Sequence, residues 1–149
     1  MTRAPFDQIE LGGLAASLGF LLRIGQLEAF NAFFDRFAGQ DLRPGEFSVM
    51  WVIGLNPGLR QGDLAHALRI KPAHMTKIIR RLEESGRVAR SIPEADRRSV
   101  HLRLTSQGCT FIRGHEAAFF GQDAYFTHSL TSQEEADLVR LLRKLTGLS

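Results

Sequence analysis

The sequence lacks the features that mark secreted, membrane-spanning and disulfide-linked proteins. A single cysteine among 149 residues excludes an internal disulfide, so nothing points to an oxidising compartment. The apolar run from Leu11 to Leu22 is shorter than the about 20 residues that cross a bilayer, and it has neither a basic leader nor a small-residue cleavage site. We therefore predict that this run is a buried helix and that the protein is cytoplasmic, without contact to a membrane.

Patterns typical of catalysis and metal binding are also missing. The five histidines are scattered, and none has zinc-type spacing to the cysteine or to carboxylates. The sequence contains no glycine-rich phosphate loop, no nucleophile elbow and no paired acid and base. We predict that the protein is not an enzyme, and we expect neither a cofactor nor a metal site.

Positive charge is concentrated in one segment of the chain. Residues 60–105 hold 11 of the 19 Lys and Arg but only 5 of the 16 Asp and Glu, so this segment carries +6 and the remainder carries −3. Such asymmetry is typical of a protein that binds a polyanion with one part and uses the rest for something else. The charge pattern makes double-stranded DNA the leading candidate partner.

The spacing of apolar residues predicts a mainly helical chain with one small sheet. Pro44 suits the first turn of the second helix, and Thr105 and Thr131 suit the N-caps of the last two. Periodicity and turn signals predict helices over 9–38, 45–55, 61–68, 72–85 and 106–125 and from 132 onward, and strands over 88–92 and 99–104.

The fourth predicted helix has two distinct faces. Its apolar face consists of Met75, Ile78, Ile79 and Leu82, and its other side carries Ala73, His74, Thr76, Lys77, Arg80 and Arg81. Small residues followed by Thr, Lys and Arg suit a helix whose N-terminal part enters a major groove. A solvated basic helix face is the alternative interpretation.

The hairpin after this helix favours DNA binding. Asp96, Arg97 and Arg98 lie at its predicted tip, with Arg90 on its first strand. Arginines on a projecting ribbon can enter a minor groove, whose negative potential attracts them. We expect Asp96 to orient an arginine and brace the tip. A helix-turn-helix followed by such a hairpin is a winged-helix arrangement.

Three motifs stand out between Leu42 and Gly108: Asn56-Pro57-Gly58-Leu59-Arg60-Gln61, then Thr76-Lys77-Ile78-Ile79-Arg80-Arg81-Leu82-Glu83, and finally Asp96-Arg97-Arg98 followed by Leu104-Thr105 and Gly108. Together they resemble the MarR family of bacterial transcriptional regulators. The resemblance implies a mainly α fold of about six helices with a two- to three-stranded wing, a homodimer, and repression at a pseudo-palindromic operator. It implies an N-terminal dimerisation helix over 1–40, a DNA-binding region over 41–105 and C-terminal dimerisation helices over 106–149.

The resemblance also assigns roles to residues. Lys71 and Pro72 depart from the family pattern, and we interpret Lys71 as an added phosphate contact. Asp96 and Arg90 are expected to support the wing. The expected DNA contacts are Lys71, Ala73, His74, Thr76, Lys77, Arg80, Arg81, Arg97 and Arg98.

The last predicted helix carries an apolar stripe that a short helix cannot stabilise alone. The stripe packs on its own subunit or on a partner, and the resemblance favours the partner. The predicted dimer interface consists of Leu14, Leu138, Leu141, Leu142 and Leu145.

The sequence contains an unusual number of aromatic residues, namely eleven Phe, one Trp and one Tyr. Most of them lie on predicted helices one, two and five. In the family, effectors often bind where such helices meet the winged helix, which suggests a small aromatic acid or its CoA thioester. The alternatives are that these side chains form core, and that the regulator is constitutive, redox-sensing through Cys109 or controlled by a protein partner. The predicted effector pocket consists of Arg23, Phe33, Phe47, Trp51, Phe111 and His115.

Overall fold

The computed structural model describes residues 9–148, and this part of the chain is mainly helical with one small sheet. The helices are α1 (Leu18–Arg36), α2 (Glu46–Leu55), α3 (Gln61–Ala67), α4 (Pro72–Glu84), α5 (Ser106–Phe120) and α6 (Ser132–Thr146). The strands are β1 (Leu59–Arg60), β2 (Val88–Ser91) and β3 (His101–Leu104), and short 3₁₀ turns cover Gly12–Ala16 and Gln122–Tyr125. The predicted fold class is confirmed.

The chain divides into two compact units. The first combines Met1–Arg36 with Gln122–Ser149, and the second is the continuous stretch Phe37–Gly121. The second unit holds α2 to α5 and the sheet, and therefore all the residues predicted to touch DNA.

The core of the second unit is built around α2. Phe47, Val49, Met50 and Ile53 have no exposed surface, as expected of a helix that is apolar nearly all round. Helix α4 contributes its predicted apolar face to the same core, since Met75, Ile78, Ile79 and Leu82 are all buried. Because α4 is strongly amphipathic, its polar side remains at the surface.

The sheet is antiparallel in the order β1-β3-β2. Val88 pairs with Leu104 and Ser91 with His101, while the two-residue strand β1 pairs Leu59 with Leu102 on the other side of β3. Val88 and Leu102 are buried, so these two side chains anchor the wing to the core. Residues 92 to 100 form the projecting tip.

The first turn of α5 is hydrogen-bonded to, and closely packed against, the residues just before β2. Thr105 caps α5 by accepting a hydrogen bond from the Gly108 N–H at 3.0 Å, and its hydroxyl donates to the Gly86 carbonyl oxygen. A Cβ at Gly108 would overlap the carbonyl oxygen of Arg87. The Leu104-Thr105-x-x-Gly108 motif is thus a close contact between helix and wing that requires glycine.

The first unit contains α1, α6 and the two 3₁₀ turns. The predicted capping box of α6 is present, because Thr131 accepts from the Glu134 N–H and the Glu134 carboxylate accepts from the Thr131 N–H. Many large apolar side chains in this unit are exposed, among them Leu14, Leu18, Leu21, Phe30, Phe34, Leu138, Leu141 and Leu145.

Three predicted helix boundaries were wrong. Helix α1 begins at Leu18 because a 3₁₀ turn that opens at Gly12, with φ of +52°, occupies the residues before it. The run from Leu11 to Leu22 is therefore not one helix, and its leucines are exposed in the single chain and not buried as predicted. Helix α2 begins at Glu46 after Gly45 in a left-handed conformation, so Pro44 lies before the helix and not in its first turn. Helix α5 ends at Phe120, and the predicted extension to Tyr125 is a separate 3₁₀ turn.

Candidate nucleic-acid interface

One side of α4 presents polar and small side chains to solvent. We call Ala73, His74, Thr76, Lys77 and Arg80 the recognition face, and all five are exposed. Lys71 is exposed just before it as the N-cap and makes no side-chain cap, and Pro72 in the first position removes one of the N–H groups that would lack a helical partner. Among residues 9–148, no ion pair involves Lys71, Lys77 or Arg80. Their charges are available to a polyanion.

The hydroxyl group of Thr76 is engaged within the protein. It donates a hydrogen bond to the Pro72 carbonyl oxygen at 3.0 Å, one turn earlier in α4. It also accepts a bond from the side-chain amide of Gln61, at the start of α3, at 3.2 Å. Gln61 was not among the predicted site residues, and it ties the first turn of α3 to the recognition face.

Arg81 lies in different surroundings from Arg80. Its guanidinium binds the carboxylates of Asp41 and Glu46, with 2.6 Å between Nε and Glu46 Oε1. Glu46 is only 2% exposed and also accepts a bond from the Arg43 N–H at 2.9 Å. Hydrogen bonding and the charge of Arg81 lower the pKa of Asp41 below its ordinary value. These contacts hold the middle of α4 against the first turn of α2, so Arg81 has a positioning role, and its predicted contact with DNA stays a prediction.

Arg87, which sequence reasoning missed, continues this network. Its Nη1 donates to the Asp41 carbonyl oxygen at 2.6 Å, and its guanidinium lies 3.9 Å from the ring centre of Phe111. Arg87 is therefore a buried link between the segment before α2 and the helix α5. No local sequence signal distinguishes it from the surface arginines of the same segment.

The wing tip is braced from within. The Asp96 carboxylate accepts a hydrogen bond from the Arg98 N–H at 3.2 Å, and the Ser99 hydroxyl donates to the Asp96 carbonyl oxygen at the same distance. The neighbouring Ser99 hydroxyl and the Arg98 N–H lower the pKa of Asp96. Arg97 and Arg98 are exposed, whereas Arg90 pairs with Glu83 of α4 at 3.1 Å. The tip thus presents two arginines on a turn that Asp96 holds.

The wing and the start of α4 border the same cleft. This cleft has a volume of about 360 Å³ and is lined by Arg60, Gln61, Pro72, Thr76 and Arg98, among others. Arg60 was not predicted as a site residue, and its pairing with His101 across β1 and β3 brings it beside the wing. Thr76 and Arg98 line this cleft together, so the recognition face, Arg60 and the wing tip border one another, and we call their exposed Lys and Arg side chains the basic surface of the second unit.

The aromatic residues of the second unit form a row, which we define as Phe111, His115, Phe37, Phe119, Phe47 and Trp51. Phe111 stacks on His115 at 4.0 Å, and Phe47 stacks on Phe119 at 4.1 Å between ring centres. Phe37 lies 6.3 Å from His115 and 6.5 Å from Phe119 and so joins the two stacks. Of the predicted pocket residues, Phe47 is fully buried, Trp51 is half-buried, and exposed Arg23 and buried Phe33 belong to the first unit.

One end of the aromatic row opens to solvent. A groove of about 540 Å³ is lined by Arg87, Ser106, Gln107, Thr110, Phe111 and His115. The His115 ring contacts the Phe111 carbonyl oxygen at 2.8 Å and the Gln40 side-chain oxygen at 3.1 Å, so its orientation is defined on both sides. The groove combines an aromatic stack with a guanidinium, a combination that suits an aromatic anion.

Two further features concern residues 9–148 as a whole. In this range none of the helices has the length and apolar character needed to span a bilayer. The same residues contain no group of three or more His, Cys, Asp or Glu arranged to hold a metal ion.

Comparison with known proteins agrees on one family. The MarR family model matches residues 42–100. The chain is 35% identical over 145 residues to a putative transcriptional regulatory protein for the hcr operon of Thauera aromatica, which covers 95% of this chain and 87% of that protein. It is 31% identical over 100 residues, 67% of this chain and 72% of the relative, to an HTH-type transcriptional repressor of Mycobacterium tuberculosis.

A solved structure shows the same fold with DNA bound. The transcriptional repressor CouR, bound to a 23-mer DNA duplex, superimposes with a TM-score of 0.84 at 27% identity, covering 93% of this chain and 99% of that one.

Proposed function

The chain belongs to the MarR family of transcriptional regulators, and we propose that it acts as a homodimeric repressor at a pseudo-palindromic operator. The observation that carries this proposal is the basic surface formed by the exposed recognition face of α4 and the wing arginines. Its relatives are regulators of transcription, so the chain is a regulator and not an enzyme. We place its action in the cytoplasm, where operator DNA would be available.

Each part of the basic surface has a distinct proposed role. The N-terminal half of α4, with Ala73, His74 and Thr76, enters the major groove, where small side chains permit close approach to base edges. Lys71, Lys77 and Arg80 bind phosphates or guanine, and Arg97 and Arg98 of the wing enter the adjacent minor groove. The support for these roles is that the residues are exposed on one side of the second unit and that CouR, a structural neighbour, binds DNA.

The proposal of a dimer rests on the first unit. Leu14, Leu138, Leu141 and Leu145 are between two-fifths and three-fifths exposed, and Leu142 is half-buried beside them on α6. Exposed apolar side chains in this number are characteristic of a surface that another protein chain covers. A second copy would also supply the second recognition helix that a two-fold symmetric operator requires.

We further propose that a small aromatic acid or its CoA thioester releases the repressor from DNA. The groove beside Phe111 and His115 supports this, because aromatic side chains and the positively charged Arg87 line it. A ligand there would lie next to Arg87, which binds Asp41, and Asp41 in turn binds Arg81. The bound ligand would therefore change the contacts of Asp41 with Arg87 and Arg81 that position α4. The recognition helix α4 would shift as a result.

The test is a mobility-shift titration of the purified protein on the DNA upstream of its own gene. Specific binding that one aromatic acid or thioester releases supports both parts of the proposal. Binding that no compound releases supports the repressor and contradicts the effector, which leaves a constitutive, redox-sensing or partner-controlled regulator. Failure to bind both this DNA and fragments of the genome would contradict the regulator proposal.

A further inference from the structure

The hydrogen bonds of Thr76 limit what this residue can do on DNA. A threonine hydroxyl has one proton and two lone pairs. The proton is directed at the Pro72 carbonyl oxygen at 3.0 Å, and one lone pair receives the Gln61 amide at 3.2 Å. The hydroxyl therefore has no proton left to donate to N7 or O6 of guanine or to O4 of thymine.

The same two hydrogen bonds also fix the position of the methyl group of Thr76. In helices, the χ1 rotamer of threonine depends on whether Oγ1 forms a hydrogen bond with a carbonyl oxygen in the preceding turn. With Oγ1 turned back toward Pro72, the hydroxyl of Thr76 keeps one lone pair and no proton, and the methyl group is the apolar part of this exposed side chain that remains for contact with a partner. Gln61 serves as a positioning residue, since its amide bond holds this rotamer from a second helix.

The residue one turn earlier extends this apolar character. Ala73 lies three residues before Thr76, is exposed, and carries only a methyl group. Residues three apart on a helix are neighbours at about 5–6 Å between Cβ atoms. The N-terminal half of the recognition face thus offers two adjacent methyl groups, while its charges begin at Lys77.

We infer that Thr76 selects the operator through its methyl group, by contact with the 5-methyl group of a pyrimidine in the major groove. Thymine carries this group, and 5-methylcytosine presents it at the same ring position. The inference rests on the proposed binding of DNA by α4 and makes it specific. Thr76 then distinguishes thymine from other bases by shape, whereas Lys77 and Arg80 act by charge and hydrogen bonding.

The experiment compares operators that differ by single methyl groups. Once an operator has been selected from the upstream DNA, each thymine of a half-site is replaced in turn by deoxyuridine, which lacks only the 5-methyl group. Dissociation constants are measured by fluorescence anisotropy at one salt concentration for the wild type, Thr76→Ser and Thr76→Val. Serine keeps the hydroxyl and loses the methyl, and valine keeps the methyl and loses the hydroxyl.

For the wild type, we expect one thymine per half-site at which deoxyuridine weakens binding about fourfold, the factor that burial of one methyl group gives. Thr76→Ser should bind the thymine and deoxyuridine operators equally at that position. Thr76→Val should keep the wild-type ratio. Replacing the deoxyuridine with 5-methylcytosine, paired with guanine, should give tighter binding than unmethylated cytosine at the same position.

Three results would overturn the inference while leaving the proposed function intact. In the first, the wild type binds every deoxyuridine operator as tightly as the thymine operator. In the second, Thr76→Ser keeps the wild-type ratio of the two dissociation constants, and in the third, Thr76→Val loses that ratio. A wild type that binds neither the upstream DNA nor genomic fragments would instead remove the proposed function, and this inference with it.

Discussion

Arg80 and Arg81 are adjacent in the chain, but their guanidinium groups have opposite surroundings. Arg80 is exposed on the recognition face, and no ion pair involves it among the described residues. The side chain of Arg81 is 29% exposed and bridges Asp41 and Glu46. One guanidinium is available to DNA, and the other neutralises a carboxylate that has almost no access to water.

We predict that Arg81→Ala destabilises the fold and Arg80→Ala does not. Removal of Arg81 leaves Glu46, which is 2% exposed, without its charge partner. Breaking a buried pair by removing one member costs about 3 kcal/mol. Chemical denaturation of both variants measures this difference. Glu46→Gln in the Arg81→Ala background should recover part of the loss, and equal stability of the two arginine variants would contradict the positioning role.

The periodicity of α4 predicts its buried face correctly but cannot separate these two arginines. The buried face follows from apolar residues at three- and four-residue spacing, which is local information. The partners of Arg81 lie 35 and 40 residues earlier in the chain, in the loop before α2 and in its first turn. Nothing in the spacing of charges along α4 reveals them, so the sequence assigns Arg81 to the DNA face.

Two glycines of α5 provide a second prediction at the scale of single residues. Gly108→Ala should lower stability by about 1–3 kcal/mol, because the new Cβ meets the Arg87 carbonyl oxygen and the packing must shift. Gly114→Ala is the matched control, since nothing lies within 4 Å of its Cβ position and alanine favours a helix by about 1 kcal/mol. Thermal melts should move in opposite directions. A neutral Gly108→Ala would show that helix and wing are not in close contact.

The strands of the wing attach it to the core, and its tip carries the exposed arginines. Val88 and Leu102 bury the strands in the core, and Arg97 and Arg98 stand at the exposed tip. The sequence predicts the tip and the two longer strands from alternation and turn residues. It does not show β1, because a strand of two residues is too short to have a pattern and forms only by pairing with β3.

We predict that Arg97→Ala and Arg98→Ala each weaken operator binding without lowering the melting temperature. Neither side chain is buried, and each should neutralise phosphate or minor-groove potential. The slope of log affinity against log salt should fall by about one for each phosphate that the variant no longer neutralises. Glu94→Gln at the same tip is the control and should not weaken binding. An unchanged affinity for both arginine variants would exclude the wing from the interface.

The bracing of the wing tip should depend on pH in a defined direction. The Ser99 hydroxyl and the Arg98 N–H lower the pKa of Asp96 below its ordinary value of 3.8. A carboxylate with a lowered pKa stabilises the folded tip above the ordinary value and loses this effect as pH falls through the folded value. The Arg98 amide, with its exchange rate compared with the intrinsic rate at each pH, should therefore be protected at neutral pH in the wild type, lose this protection as pH falls below 3.8, and lack it at neutral pH in Asp96→Ala. Equal protection in both proteins would contradict the brace.

At the scale of the whole molecule, the first unit leaves many of its large apolar side chains exposed to solvent. Many of these lie on α1 and on α6, although Phe33 is buried, whereas α4 and most of α2 in the second unit bury theirs, with Leu55 as the exception. Periodicity predicts the stripe on α6 but not what covers it, because a stripe looks the same whether it packs within a subunit or between two. The proposed assignment of residues 1–40 and 106–149 to dimerisation therefore depends on an experiment.

We predict that the double variant Leu141→Gln, Leu145→Gln turns the dimer into a monomer. These side chains are 51% and 57% exposed, so their replacement removes little packing within the subunit but much of a face that a second copy would bury. Light scattering should show the halved mass, and circular dichroism should report any loss of α6, which a short helix without a partner can suffer. Operator affinity should fall sharply, since a monomer presents one recognition helix to a two-fold site. Lys144→Gln, exposed on the same helix, should remain dimeric. A double variant that keeps the wild-type mass would show that these leucines lie outside the interface, and a wild type that is already monomeric would contradict the dimer itself.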